Sequence, residues 1–403
     1  MRHVCIITAL LFITGCGPEL TGEGWSSQHE ALTAVTGFGT NPGGLSLFIH
    51  QPAGLGANAP LVVALHGCGQ TADVYATTGW NTLATQHRFL VAYPQTTANS
   101  ACFDWFTANQ QTRSGPQVTS ILQMVQHLVT TRGVDPSRVY VTGLSAGGAM
   151  TGVLLAVAPD VFSRGAVMAG LPFACATTQL QGLTCMSSPA DQTPAQWGAL
   201  VRAVAGSSPA PRVSLWHGTS DTTVRPGNLQ EQVDQWTDVN GVDLTADATS
   251  TVGIATRREF RNAAGVTLVE SWSLAGMSHG TAIDAARGCG TPSPFILDVS
   301  VCSSRYAAEF FGIASASDGG VPVPDAGVIT PDAGTGGGGG ATGAGGGTAT
   351  GGGSATGGGN GTTGGGGGGG GDAPGGCGCT SIEPMALFLG SFLLRRRAQR
   401  AIK

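Results

Sequence analysis

The sequence has few charged side chains. Charged residues make up 11% of the 403 residues, and the formal net charge is −5. Proteins that bind nucleic acid need a basic patch or stripe to meet the phosphates, and this composition does not favour one. We therefore expect no nucleic-acid partner.

Apolar runs long enough to cross a membrane are also missing from the N-terminal region. The run Val4–Phe12 is shorter than the roughly 20 residues that a spanning helix needs. It follows the basic start Met1–His3, an order that is typical of a secretory signal. Cys16 at its end resembles the lipidated cysteine of a bacterial lipobox, which would tether the protein to a membrane, and an ordinary signal peptide is the alternative. We predict a signal over residues 1–16, a spacer over 17–40, and an extracellular or outer-surface location.

A zinc-binding pattern is absent too, since no cysteine cluster shows ligand spacing with a nearby histidine. We predict neither a metal nor another cofactor. Six cysteines lie between the signal and the tail. An even count in an exported chain indicates disulfides, although six cysteines allow 15 pairings. Proximity in the sequence favours three pairs: Cys175 with Cys185, Cys289 with Cys302, and by elimination Cys68 with Cys102.

Glycine is abundant, and three glycines lie within the most informative segment, VYVTGLSAGGA at residues 139–149. Gly143, Ser145 and Gly147 fill the G-x-S-x-G pattern of the nucleophile elbow in α/β-hydrolases, where a serine sits on a sharp turn between a strand and a helix. Glycines leave room for the strand and the helix to pack closely. The pattern can arise by chance in a glycine-rich chain, but the predicted strand before it and helix after it supply the required context.

Further apolar segments are typical of strands buried on both faces of a parallel sheet. Predicted strands cover residues 45–50, 60–66, 89–93, 165–170, 213–217 and 267–274, and predicted helices cover 118–129 and 228–239. Pro94 is expected to end the third of these strands. Strands that alternate with helices predict an α/β fold, a mostly parallel sheet flanked by helices, with its chemistry at the carboxyl ends of the strands. We place this catalytic domain at residues 41–313.

Chain order selects partners for Ser145. A serine nucleophile needs a base that is oriented by a carboxylate, and α/β-hydrolases arrange them in the order serine, acid, histidine. Only His217 and His279 follow Ser145. Asp221 lies just after the strand that ends at His217, and His279 lies in a later loop between glycines. We predict Asp221 as the acid, His279 as the general base and a structural role for His217; a turn-forming aspartate and an exposed loop histidine are the alternatives.

An oxyanion intermediate also needs two N–H donors. Ala146, the residue after the nucleophile, is expected to provide one of them. We assign the other to the backbone of Cys68, because Gly67 and Gly69 on its two sides let the backbone approach a substrate closely. His66 is expected to brace this loop.

Several blocks of the sequence together resemble a known family. They are LHGCGQTA, ACFDWF, RVYVTGLSAGGAM, PDVFSRGAVMAG, WHGTSDTTVRPGN and GMSHGT, in this order within about residues 40–313. This set resembles the extracellular polyhydroxybutyrate depolymerases, and the early blocks are shared with feruloyl and acetylxylan esterases.

The resemblance implies an α/β-hydrolase fold and the same triad and oxyanion donors. It also implies that Trp105 and Phe106 form an apolar wall for a hydroxyalkanoate chain, with core packing as the alternative for Phe106. Asp104 stands where we expect Asn, which puts a polar substrate contact from that position in doubt.

The composition changes after the catalytic domain. Residues 314–376 are rich in Gly, Thr and Ala and are predicted to be a disordered linker. Residues 377–403 combine two cysteines, an apolar run and an arginine stop, which resembles the C-terminal sorting signals of myxobacterial surface proteins; a membrane-associated tail is the alternative. Depolymerases of this type commonly carry a polymer-binding domain after the linker, so a short tail there favours short or soluble oligoesters as substrates.

We therefore expect an exported serine esterase with a monomeric catalytic domain. It would cleave ester bonds of poly(3-hydroxybutyrate) or its oligomers through an acyl-enzyme. A feruloyl or acetylxylan type of carbohydrate esterase is the alternative within the same class. A surface binding protein without catalytic activity is the alternative from another class.

Overall fold

Short segments rich in Val, Leu, Ile and Ala form one ten-stranded sheet in the computed structural model, which describes residues 31–315. The strands are β1 (Thr33–Val35), β2 (Ser46–His50), β3 (Ala59–Leu65), β4 (Leu90–Gln95), β5 (Val134–Leu144), β6 (Arg164–Met168), β7 (Arg212–Gly218), β8 (Ala248–Val252), β9 (Ala255–Arg261) and β10 (Thr267–Leu274). A separate two-stranded ladder pairs β11 (Thr281–Ile283) with β12 (Ile296–Asp298).

Helices cover both faces of the sheet. They are α1 (Ala72–Ala76), α2 (Trp80–His87), α3 (Pro116–Arg132), α4 (Ala146–Val157), α5 (Gln179–Ser187), α6 (Pro194–Ala205), α7 (Gly227–Asn240) and α8 (Ser303–Phe311). Side chains of α3, α4, α6 and α7 enter one apolar core, and side chains of α1, α2 and α8 enter the other. Within residues 31–315, no helix combines the length and the hydropathy that crossing a bilayer requires.

The order of the strands is β1-β2-β4-β3-β5-β6-β7-β10-β9-β8. Neighbours from β4 to β10 in this order are parallel, and the pairs at both edges are antiparallel. All seven residues of β3 are buried, as expected of a strand that is covered on both faces. The predicted α/β fold with a mostly parallel sheet is therefore confirmed.

The sheet differs from the prediction at its first strand and at Pro94. β1 lies inside the segment predicted as a spacer, so the sheet begins before residue 41. β4 continues through Pro94, which pairs with Leu47 of the antiparallel neighbour β2. Its parallel neighbour β3 pairs with it only as far as Ala92, so Pro94 lies where that ladder needs no further N–H donor.

The described residues include all six cysteines of the catalytic domain, and the structure confirms the predicted pairs. The bonds join Cys68 with Cys102, Cys175 with Cys185, and Cys289 with Cys302. The predicted signal, lipobox cysteine and sorting tail lie outside the described residues, as does the predicted linker from residue 316 onward.

Backbone segments pack very closely where α4 meets the end of β3. A Cβ atom at Gly147 would lie 2.3 Å from the carbonyl oxygen of Leu65 and 2.6 Å from that of His66. At Gly143, at the end of β5, a Cβ atom would lie 2.3 Å from the Gly147 carbonyl oxygen. Real Cβ contacts are longer, so these two positions admit glycine only.

This packing predicts a sharp contrast between two glycines of the same helix. Gly147→Ala should lower the free energy of unfolding by about 3 kcal/mol or more, because backbone atoms must move apart. Gly152→Ala is the matched control, since its Cβ atom would meet nothing closer than 3.8 Å. It should raise stability by roughly 0.5–1 kcal/mol through helix propensity. Urea unfolding of both variants measures this, and equal stabilities would contradict the packing argument.

Candidate active site

Ser145 lies on a strained turn at the junction of β5 and α4. Its φ of 56° and ψ of −116° are unusual for a residue with a side chain. The Ser145 N–H donates to the carbonyl oxygen of Met168, at the end of the neighbouring strand β6, over 2.9 Å. The turn is thereby held by the sheet, as the G-x-S-x-G pattern predicts, and α4 begins directly after the serine.

Asp221 follows β7 and is surrounded by donors. Its Oδ1 accepts hydrogen bonds from the backbone N–H groups of Thr223 and Val224, each at 2.9 Å. Its Oδ2 accepts from Nδ1 of His279 at 2.7 Å. Burial alone would raise the pKa of this carboxyl, but the hydrogen bonds from His217 and His279 hold the pKa well below its usual range. Asp221 is therefore a buried carboxylate anion.

His279 lies in the connection between β10 and β11. Its side chain is 8% exposed, and the hydrogen bond from Nδ1 to Asp221 orients the ring. Because Nδ1 carries the proton in that bond, Nε2 of the neutral ring is the free acceptor. The structure therefore brings the predicted acid and the predicted base together in the arrangement that general-base chemistry requires.

His217 is the second histidine beside Asp221. Its Nε2 lies 2.8 Å from the carbonyl oxygen of Val224 and 3.4 Å from Oδ2 of Asp221. The ring is buried, and its Nδ1 has no hydrogen-bond partner among the described residues. This position between the acid and its own loop fits the predicted structural role of His217.

A buried cluster of hydroxyl groups connects the segments of Ser145 and His279. The Tyr75 hydroxyl interacts with those of Thr142, shortly before Ser145, and Thr281, shortly after His279. The three oxygens are buried without well-oriented hydrogen bonds, and burial raises the pKa of Tyr75 well above its usual value despite both threonines. Tyr75 thus lies beside residues of both segments. No hydrogen bond joins the Ser145 hydroxyl to the His279 ring in the described part of the chain, and this contact commonly tightens only when substrate binds.

The loop after β3 presents a backbone donor. The Gly67 N–H donates to Oε1 of Gln70 at 2.9 Å, and the Gly69 N–H donates to the carbonyl oxygen of Ser100 at 3.1 Å. Between them, the Cys68 N–H donates to no other described residue. The bond from Cys68 to Cys102 ties this loop to the segment that follows β4.

His66 braces this loop. Its Nδ1 donates to the carbonyl oxygen of Gly67 at 2.8 Å, and its Nε2 accepts from the Thr96 N–H at 3.2 Å. Burial lowers the pKa of His66, and the bond to Gly67 offsets only part of that effect. A neutral ring with both nitrogens engaged is a poor candidate for the base, which agrees with the predicted bracing role.

The two aromatic residues of the predicted substrate wall differ in exposure. Trp105 is 5% exposed and belongs to an apolar core, whereas Phe106 is half-buried. Their rings are 5.5 Å apart in an edge-on arrangement, and Gly182 of α5 packs against both. Burial raises the pKa of the adjacent Asp104, partly offset by a hydrogen bond from Asn99. The substrate wall stays a prediction, and the exposure favours Phe106 over Trp105.

Gln70 and Tyr75 both support the site, although neither is among the residues predicted from the sequence. Gln70 lies in the LHGCGQTA block, and a buried glutamine beside a glycine-rich loop is a signal that could have been found. Tyr75 lies in a five-residue helix too short to show which face is buried. Within residues 31–315, no group of three or more His, Cys, Asp or Glu side chains is placed to hold a metal ion.

Comparison with known proteins adds a family match. The family model described as "Esterase PHB depolymerase" matches residues 45–262, a segment that includes Ser145 and Asp221 and ends before His279. Poly(3-hydroxyalkanoate) depolymerase C of Paucimonas lemoignei is 49% identical over 296 residues, covering 72% of this chain and 72% of that protein.

Carbohydrate esterases are also similar to this chain. Feruloyl esterase B of Talaromyces stipitatus is 37% identical over 231 residues, 55% of this chain and 64% of that protein. An acetylxylan esterase of Coprinopsis cinerea is 37% identical over 260 residues, 62% of this chain and 69% of that protein. The solved structure of acetyl xylan esterase from Aspergillus awamori matches 71% of this chain and 100% of its own, with a TM-score of 0.60 at 28% identity.

The lowered pKa of Asp221 predicts a pH-dependent stability. The folded protein keeps this carboxylate ionised below the ordinary Asp pKa of about 4, so its contribution is complete above that pH and is lost as the pH falls through the folded pKa. The difference in the free energy of unfolding between wild type and Asp221→Asn should therefore shrink between about pH 5 and pH 3. Urea unfolding at several pH values measures it.

Asp160→Asn is the control for this experiment, because Asp160 forms an exposed ion pair with Arg113. It should cost less than about 1 kcal/mol at neutral pH. A difference for Asp221→Asn that stays constant down to about pH 3 would contradict a depressed carboxyl pKa.

Proposed function

Because the chain belongs to the esterase family of the polyhydroxybutyrate depolymerases, and is a carboxylic ester hydrolase, we propose that it cleaves poly(3-hydroxybutyrate) or its oligomers. The observation that carries this proposal is the buried hydrogen-bonded pair of Asp221 and His279. Asp221 follows the carboxyl end of β7, and the strained turn at Ser145 follows the carboxyl end of the parallel strand β5. The identity to a poly(3-hydroxyalkanoate) depolymerase supports the choice of substrate.

The proposed chemistry begins with Ser145. Nε2 of His279 takes the serine proton while the serine oxygen attacks the ester carbonyl, and Asp221 stabilises the resulting imidazolium. The imidazolium then gives the proton to the departing alkoxide, which leaves an acyl-enzyme. Water, activated by the same ring, releases the hydroxy acid and restores the serine.

The proposed oxyanion donors are the backbone N–H groups of Cys68 and Ala146. Both are held by neighbouring structure, since the Cys68 loop is braced by His66 and a disulfide and Ala146 begins α4. Donors that are fixed before the reaction stabilise the developing charge without reorganisation. Phe106, and to a smaller extent Trp105, would offer apolar surface to the hydroxyalkanoate chain.

A second candidate function is hydrolysis of feruloyl or acetyl esters on plant polysaccharides. It is favoured by the similarity to fungal feruloyl and acetylxylan esterases and by the matching acetyl xylan esterase structure. The higher identity to the depolymerase ranks the polyester first.

The proposed location is outside the cell. Three disulfides are typical of proteins that fold in oxidising compartments, and the N-terminal segment has the pattern of a secretory signal. A membrane tether through Cys16 or the C-terminal tail is part of this proposal. The catalytic residues proposed above all come from one chain, which is consistent with a monomeric catalytic domain.

Ser145→Ala tests the nucleophile. It should lower kcat by roughly 10⁴- to 10⁶-fold on a soluble ester, because no other group can form the acyl-enzyme. Wild type should be labelled by a fluorophosphonate and the variant should not, with the same thermal unfolding for both. Ser137→Ala, an exposed serine at the other end of β5, should keep activity and labelling. Labelling of folded Ser145→Ala, or no labelling of the wild type, would refute a Ser145 acyl-enzyme.

A comparison of kcat/KM on different substrates tests the proposed polyester function. We expect a higher kcat/KM on the trimer of 3-hydroxybutyrate than on methyl ferulate or acetylated xylan, because the wall at Phe106 is apolar and aliphatic chains need no polar partner. Release of hydroxybutyrate from amorphous polymer extends the test to the solid. Faster cleavage of methyl ferulate or acetylated xylan would replace the leading function by the second candidate.

A further inference from the structure

Phe295 is an exposed aromatic residue beside the proposed general base. Its side chain is 42% exposed, and its ring lies edge-on to the His279 ring with 5.9 Å between the centroids. Its φ of 67° falls in the left-handed region, which a bulky residue rarely adopts. Strained backbone of this kind concentrates at functional sites and persists when the surroundings hold it in place.

Bonds on both sides of Phe295 fix its position. The Thr281 N–H donates to the Phe295 carbonyl oxygen at 2.8 Å, at the start of the β11–β12 ladder. Nε2 of Gln70 donates to the carbonyl oxygen of Pro294 at 3.0 Å. The same Gln70 side chain accepts from Gly67 in the proposed oxyanion loop. Phe295 is therefore anchored to the segments of the base and of the oxyanion donors.

Core packing does not account for this residue. The following residue, Ile296, is 1% exposed and belongs to an apolar core, whereas Phe295 is not part of either core cluster. An exposed aromatic ring that is held in an unfavourable backbone conformation serves best as a surface for a ligand.

The side of the ester that meets Phe295 follows from the chemistry of the base. The imidazole of His279 must deliver its proton to the departing alkoxide, so the alcohol part of the ester lies next to this ring. We propose that Phe295 forms a subsite for the alcohol part of the ester and binds the aliphatic leaving-group chain. This inference rests on the proposed function of His279 as the base.

An open groove of about 560 Å³ lies beside the segments that carry His279 and Phe295. Its lining includes Ser278, next to His279, and Ile296, next to Phe295, together with Met277 and Leu297. The groove therefore lies beside the segments of the proposed base and of Phe295, and its walls combine apolar side chains with the polar Ser278, Ser293 and Asp298. In this proposal, an extended leaving group, such as the next units of a hydroxyalkanoate oligomer, would continue from Phe295 along this surface.

Two ester series separate this subsite from the acyl side. For butyrate esters of methanol to butanol, wild-type kcat/KM should rise about tenfold as methylenes are buried, and in Phe295→Ala it should rise less than about threefold. Straight-chain alcohols have similar acidity, so contacts determine the slope. The second series consists of methyl esters of acetate to hexanoate. Here the rise of kcat/KM with acyl-chain length should agree within about twofold between full-length wild type and full-length Phe295→Ala, because the acyl chain lies away from Phe295.

Two further variants make the result specific to the ring. Phe295→Gly suits the left-handed backbone conformation and should lose the rise of kcat/KM with alcohol chain length, as Phe295→Ala does. If Phe295→Gly instead keeps the wild-type rise, the loss in Phe295→Ala comes from the backbone and the proposal is overturned. Leu244→Ala removes another exposed apolar side chain, at 47% exposure, and should keep both slopes. An unchanged alcohol slope in Phe295→Ala, or equal losses in both series, would also overturn the subsite. Wild type that cleaves these simple esters but not hydroxybutyrate oligomers would instead refute the polyester function alone.

Discussion

The contact between Gly147 and the carbonyl groups of Leu65 and His66 sets the geometry on which the site depends. It lets α4 approach the end of β3 so closely that a side chain has no room. Ser145 lies on the turn into that helix, and Cys68 lies on the loop that follows β3. This backbone contact therefore helps to fix the positions of the proposed nucleophile and of the proposed oxyanion donor, and such preorganisation is what charge stabilisation needs.

The second half of the site depends on a buried charge. A carboxylate away from water is costly unless donors surround it, and Asp221 has two backbone N–H groups and the rings of His217 and His279 around it. These donors keep the group ionised, which stabilises the fold and orients His279. In the proposed chemistry, the same negative charge stabilises the imidazolium that forms when the ring takes the serine proton, so the interaction that holds this loop also supports that chemistry.

Sequence patterns predict the parts of the site that lie at the ends of regular elements. Ser145 follows a long apolar strand within the G-x-S-x-G pattern, and Asp221 follows another strand, so the motif predicts the first and chain order predicts the second. α6 was missed, although Thr193 and Gln196 form the capping box that its sequence offers. Phe295 could not be found this way, because β11 and β12 have three residues each and so short a strand shows no alternation.

The segment from His279 to Cys302 differs in kind from the sheet that carries Ser145 and Asp221. It is held by a short ladder, by the bond between Cys289 and Cys302, and by side chains such as Gln70. The family match ends at residue 262, before this segment begins. Relatives named for polyhydroxyalkanoate, feruloyl and acetylxylan esters resemble this chain over much of the domain, so the elbow does not distinguish their substrates. We therefore expect substrate preference to depend on the loops beside the proposed base, where an aromatic side chain such as Phe295 can be substituted without disturbing the sheet.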